Sequence, residues 1–199
     1  MTRRRRFDDQ GQAFPIYVTV VGGLLFLAFV YLAVGQAAAN RNGAQTAADA
    51  AALAAAQETR DQLADQWVED VLDPTQWQDI FDGFAAGLEP ACWRAEQLAA
   101  QNDAHVEACD QTGLLEYVVE VQMDKPVGES IVPGTEAKFA KASAKAVIES
   151  RCEFELPGEG GGDDELPMLT CEDEQWELDP DDLTDLPGPE DLFDVHLAD

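Results

Sequence analysis

The stretch AQTAADAAALAAAQ, residues 44–57, decides how the chain is read. Nine of its fourteen residues are alanine, and Asp49 is its only charge. Alanine loses no side-chain freedom in a helix and has the highest helix propensity, so the segment predicts helix with little help from packing. Nothing in it is reactive. Directly upstream, no charged side chain occurs from Gln12 to Ala39. The apolar core of that run, AFPIYVTVVGGLLFLAFVYLAVG, matches the ~20 residues that a helix needs to cross a bilayer. Tyr17 and Tyr31 lie near its ends, where amphipathic rings settle at the interface. Pro15 falls in the first turn, where a missing N–H costs nothing. Between Gln36 and Trp67 there is no proline and a single glycine, Gly43. Residues 14–66 therefore predict either one helix about 80 Å long or a span followed by a second helix, with NRNG at 40–43 as the weak point.

A cleaved signal peptide is the rival reading of the apolar run, and Ala37-Ala38-Ala39 satisfies its small-residue cleavage pattern. The run is longer than the ~7–15 apolar residues of a signal peptide, and length favours an uncleaved anchor. Arg3, Arg4, Arg5 and Arg6 then stay in the cytoplasm by the positive-inside rule, and everything after about Asn40 is outside. The expected location is the cell membrane, single-pass, with an extracytoplasmic C-terminal domain.

The chain of 199 residues carries 12 basic and 40 acidic groups, a net charge of −28. Eighteen of the acids lie in residues 153–199, which contain no lysine or arginine. A surface this acidic repels phosphate backbones, so no nucleic-acid partner is expected. Outside the membrane, disulfides persist. Cys92, Cys109, Cys152 and Cys171 allow three connectivities, and their grouping favours two short loops, Cys92–Cys109 and Cys152–Cys171. With no C-x-x-C, and with His105 and His196 far apart, no zinc site is expected.

Other motifs point away from catalysis. GEGGG at 158–162 has no lysine after it and two aspartates instead, so it reads as a flexible loop. The acidic run 179–194 lacks the spacing of a calcium loop. None of Ser130, Ser143 and Ser150 lies in G-x-S-x-G, and His105 reads as a surface residue. No enzyme, cofactor or small-molecule substrate is expected.

Past Asp73, TQWQDIFDGFAAGL (75–88) predicts a short helix with Trp77, Ile80, Phe81 and Phe84 on one face. Residues 91–104 predict another. LLEYVVEVQM (114–123) reads as a strand, 125–136 as turn-rich, and 139–150 as a strand paired with it, because Ala140, Ala142, Ala144, Ala146 and Ile148 alternate with the other face. From Leu156 the composition predicts a solvated acidic tail, with Cys171 and Trp176 pinning its first part. The fold class is α+β: a long N-terminal transmembrane, pilin-like helix, a small disulfide-bonded extracytoplasmic α+β domain, and an acidic disordered tail. The expected segments are 1–12 cytoplasmic and basic, 13–39 transmembrane, 40–73 Ala-rich helix, 74–156 domain and 157–199 tail.

The order of these features, with Gln45, Ala47, Ala48, Asp49, Ala50, Ala51, Ala52, Leu53, Ala54, Ala55 and Ala56 in a QxAADAAALAAA pattern just after the span, resembles the TadE/TadG-like proteins of Tad (Flp-type) pilus assembly. The opening DDQGQAFPIYVTVVGG is most similar to the actinobacterial TadG-related branch. The resemblance implies a membrane-anchored, pseudopilin-like assembly component whose partners are the membrane and other pilus-assembly or pilin-like membrane proteins, a homo-oligomer included. It implies side-by-side packing of N-terminal helices. Ala47, Ala48, Ala51, Ala52 and Ala55 are the expected packing face, since small residues let backbones approach closely; the same helix also suits packing against its own small domain, and the bland alternative is a stalk kept helical by alanine. The alternative is a membrane-tethered extracytoplasmic binding module with an acidic tail. Pilin-type processing resembles a glycine, a cut, and a glutamate fifth in the mature chain; here Ile16 is fifth after Gly11, so cleavage there is not expected.

The protein recovered from membranes should therefore begin at Met1 or Thr2 and show no free thiol before reduction. Intact mass with N-terminal sequencing, and alkylation before and after reduction, check both. A start at Gln12 would mean pilin-like processing, and a start after Ala39 would remove the anchor.

Overall fold

A computed structural model describes residues 13–126, 138–156, 166–172 and 174–198. The arginines Arg3–Arg6, the cut after Gly11, the GEGGG loop and most of the turn-rich link before 139 lie outside the described residues. One helix, α1 (Ala13–Glu69), takes in both the apolar run and the alanine segment. It is about 86 Å long at the α-helical rise. NRNG does not break it. The Thr46 hydroxyl donates to the Asn42 carbonyl at 3.0 Å. A Cβ on Gly43 would lie 3.7 Å from the Met123 methyl, so the glycine meets a neighbouring strand in mid-helix.

After α1 the chain turns at Asp70–Asp73 into α2 (Pro74–Phe81). Asp73 caps it, its carboxylate accepting from the Thr75 N–H at 3.2 Å, and Pro74 occupies the first turn. The expected helix is cut short at Phe81. Gly83 has φ +86°, and a Cβ there would meet Leu114 and Leu115 at 2.9 Å. Phe84 is consequently off the apolar face of Trp77, Ile80 and Phe81, and 63% exposed. Helix α3 (Cys92–Gln101) follows.

Four strands, β1 (Ala104–Gly113), β2 (Glu116–Pro126), β3 (Phe139–Ser150) and β7 (Phe193–Leu197), form an antiparallel sheet in the order β1-β2-β3-β7. A second antiparallel sheet is built from β4 (Cys152–Phe154), β5 (Leu169–Cys171) and β6 (Glu174–Trp176). The period-two reading of 139–150 holds in this register: Val119 faces Ala144 and Tyr117 faces Ala146, and all four are buried. Strand β1 has no clear apolar alternation in its sequence. Its buried residues are few, and Ala104 alone among them is fully enclosed.

Helix α1 is the axis of the domain. It contacts β2, β3 and β7 on the sheet side and also touches α2, α3 and the short helix α4 (Pro189–Leu192). Ala47, Ala48, Ala51, Ala52, Ala55 and Ala56 have no exposure, and Ala54 has 5%. Five buried positions in six residues cannot share one helical face. Alanine keeps the helix thin enough to be enclosed by a sheet and by α3 together. At its far end an aromatic cluster closes the core. Trp67 packs at a tilt against Trp77 (5.3 Å), Trp77 meets Phe154 edge-on (5.2 Å), and Phe81 meets Phe193 (5.7 Å).

The acidic tail is not a solvated appendage where it is described. Residues 166–198 fold back onto the domain and supply β5, β6, α4 and the sheet's fourth main strand, β7. Leu169, Leu178, Leu192 and Phe193 are buried, a few apolar anchors in a largely acidic stretch. Aspartates order the backbone: Asp182 accepts from the Thr184 N–H (3.2 Å), and Asp191 from the Gly188 N–H (2.8 Å). A composition average hides a few anchoring apolar residues, and that is why the segment reads as disordered.

Ala52→Leu should destabilise the domain by about 1–3 kcal/mol, because an enclosed helix has no room for three more carbons. Gln57→Leu, at an exposed position, should change little. Urea unfolding of the two variants in detergent checks the contrast.

Candidate functional site

The two halves of α1 differ in what surrounds them. From Phe14 to Gly35 the apolar half is a helix long and apolar enough to cross a membrane, with none of its most apolar window buried. Phe26 is 66% exposed and Tyr31 82%. A Cβ on Gly22, Gly23 or Gly35 would meet nothing within 4 Å, so these glycines leave shallow open notches along the half. In the second half, the expected packing face of Ala47, Ala48, Ala51, Ala52 and Ala55 is covered by the chain's own sheet and helices. The alanine face is occupied from within. Its one buried polar group, Thr59, shares a hydrogen bond of 2.8 Å with the Tyr117 hydroxyl, which joins helix to sheet.

The cysteines form two disulfides, Cys92–Cys109 and Cys152–Cys171. The first ties α3 to β1, and the second joins β4 to β5 at directly paired positions. The larger grooves are open and polar. One of about 960 Å³ runs beside Phe81, Ser150, Cys152 and Thr170. The histidines sit on strands beside carboxylates: His105 Nδ1 lies 2.7 Å from Asp124, and His196 Nδ1 lies 2.9 Å from Asp194. Both are partly exposed and neither adjoins a serine or cysteine nucleophile, so the pairs tie strand residues together.

Among the described residues no group of three or more histidine, cysteine, aspartate or glutamate side chains is placed to hold a metal ion. The surface that remains is the bare half of α1 with the alanine segment running out of it. Residues 11–58 match the Tad family model, Flp pilus-assembly TadE/G-like. The TadE/G-like match covers most of α1 and stops before α2. It spans the apolar half, the NRNG segment and the alanine segment, and these are the residues on which the sequence resemblance rests. Searches of curated proteins and of solved structures give no match for the chain. The likeness to the TadE/G-like model is thus confined to residues 11–58, and the disulfide-bonded remainder stands on its own geometry.

Two ion pairs tie down the second half of β3 and the residue that follows it. The Lys145 ammonium lies 2.9 Å from Glu116 on β2, and its hydrogen bond holds the Glu116 carboxyl below the ordinary carboxylate range. Arg151 grips Glu172 with two of its guanidinium nitrogens (3.0 and 2.5 Å), and the third donates to the Glu190 carbonyl at 2.8 Å. That fork lowers the Glu172 carboxyl and raises the guanidinium. A lowered folded-state value means the pairing is complete above the unfolded carboxylate range and is lost as pH falls through the lowered value. Arg151→Ala should move the Glu172 titration upward, and side-chain carboxyl NMR across an acid series reads it. An unchanged titration would remove the fork as the cause.

Proposed function

We propose that the chain is a membrane-anchored assembly component of a Tad-type pilus or a related secretion apparatus, with a pseudopilin-like mechanism. The single observation that carries the reading is the family match over an uninterrupted helix whose first half is apolar and uncovered. Helices associate in lipid by van der Waals packing, with small residues at the contact. Since the alanines are used within the domain, association with neighbouring subunits falls to the bare half, through Gly22, Gly23 and Gly35. The N-terminus is cytoplasmic and the domain extracytoplasmic. Disulfides in that domain fit an oxidising compartment. An unprocessed N-terminus would keep the protein anchored, as a base or priming element of the assembly.

A membrane-tethered binding module shares the anchor and the domain. Replacing the alanine segment by another helical spacer does not separate the two readings, because Ala51, Ala52 and Ala55 are core residues and the domain fails either way. The bare half does separate them. In cells lacking the native protein, Gly22→Leu with Gly23→Leu should insert in the membrane with both disulfides formed, yet abolish or sharply reduce surface pili. Pilus counts by electron microscopy equal to those of the unsubstituted protein would refute association through this half. A tethered binder would tolerate the change.

A further inference from the structure

Three threonines lie in α1. Thr19 and Thr46 turn back on their own helix, donating four residues upstream to the Pro15 carbonyl at 2.7 Å and the Asn42 carbonyl at 3.0 Å. Thr59 does not. Its hydroxyl turns to that of Tyr117 at 2.8 Å, and each residue is 2% exposed. Two hydroxyls bring two protons to one shared bond. Whichever of them donates, the other keeps a proton, and among the described residues no acceptor takes it. A hydroxyl so deeply buried costs free energy until an acceptor meets it.

Both residues line a cavity of about 290 Å³. Its other walls come from the loop between α2 and α3 and from the turn between β1 and β2, where Phe84, Leu88, Pro90 and Leu114 supply apolar surface. Local chemistry shapes the loop. Gly83 and Gly87 have φ of +86° and +82°, a region open to glycine, and they let the chain double back over α1. The Glu89 N–H then donates to the Gln62 side chain at 2.7 Å and fastens the loop to the helix. On the other wall, the Gln111 side chain donates to the Leu114 carbonyl at 2.8 Å and fixes the turn. The Cys92–Cys109 disulfide ties the two walls together just beyond the cavity.

Size and polarity restrict what fits. The volume is at the lower limit of small-molecule sites, too little for a nucleotide or a drug-sized cofactor. Glu89 is the one charged residue of the lining, and it disfavours an anion. A spare hydroxyl proton calls for an acceptor, which an ammonium group lacks.

We propose that this cavity binds an uncharged apolar group, of ring or branched-chain size, that carries a carbonyl oxygen. The apolar body fills the space beside Leu88, Pro90 and Leu114. The carbonyl accepts the proton that the Thr59–Tyr117 pair leaves unused. A free ketone or amide offers this chemistry, and so does an apolar residue with its backbone carbonyl. The site goes beyond the pilus reading and does not depend on it.

The test uses the full chain in detergent micelles, with methyl NMR as the readout. Cyclohexanone and methylenecyclohexane have nearly the same shape and differ in one oxygen. Each should move the methyl signals of Thr59, Leu88 and Leu114 and leave those of Leu169 and Leu192 in place. Thr59→Val with Tyr117→Phe removes both hydroxyls at little change of shape. In that variant cyclohexanone should bind about five-fold more weakly, the worth of one hydrogen bond, while methylenecyclohexane binds no more weakly than before. Ala85→Phe, on the loop, should fill the cavity and stop both probes. Methyls that neither probe moves in the unsubstituted chain would overturn the proposal. So would undiminished cyclohexanone binding in the double variant, or binding that survives Ala85→Phe. N-acetyl-leucine methylamide offers the same chemistry in polypeptide form. Tighter binding of it than of cyclohexanone assigns the site to a residue of a partner chain, and weaker binding assigns it to a free small molecule.

Discussion

The domain depends on the thinness of one helix. From Ala44 to Ala56, α1 is almost bare backbone with methyl groups, and both a four-stranded sheet and α3 close on it. Larger side chains would widen the axis and force one layer off. Each alanine buries little area, so the helix contributes less by its own burial than by letting Tyr117, Val119, Val121 and Ile148 approach from the sheet. The heavier apolar contribution comes at the end of the helix, where Trp67 meets Trp77 and the aromatic cluster begins.

That division explains how the chain has two environments without a joint. Phe14–Gly35 is mostly large, apolar and uncovered, while the alanines between Ala44 and Ala56 are small and mostly enclosed. The composition changes along a helix that does not. Gly43, the most plausible break by sequence, is retained at the point where Met123 comes nearest.

Much of the fold was legible because its signals are local. The apolar run, the alanine helix, the paired cysteines and the alternation in 139–150 each announce themselves over ten to twenty residues. The failures are non-local. Strand β1 has no alternation of its own, and it exists because β2 pairs with it and Cys109 is bonded to Cys92. Phe84 left its face because Gly83 turns where Leu114 and Leu115 crowd in. The tail folds through Leu192, Phe193 and the Arg151 fork, which acidic composition conceals. The alanine face was visible as a packing face, but nothing in the sequence says whether its partner is another subunit or the chain itself.

Continuity of α1 has a rotational consequence. A helix of 3.6 residues per turn with no hinge fixes the azimuth of the domain relative to the bare half as firmly as the distance between them. Which side of the domain looks toward a neighbour is then set by residue phase between the bare half and Ala44. One residue added in that interval turns the domain by about 100° while lifting it only about 1.5 Å. Orientation is far more sensitive to length there than distance is, and a helix of this kind passes any rotation of its bare half on to the domain.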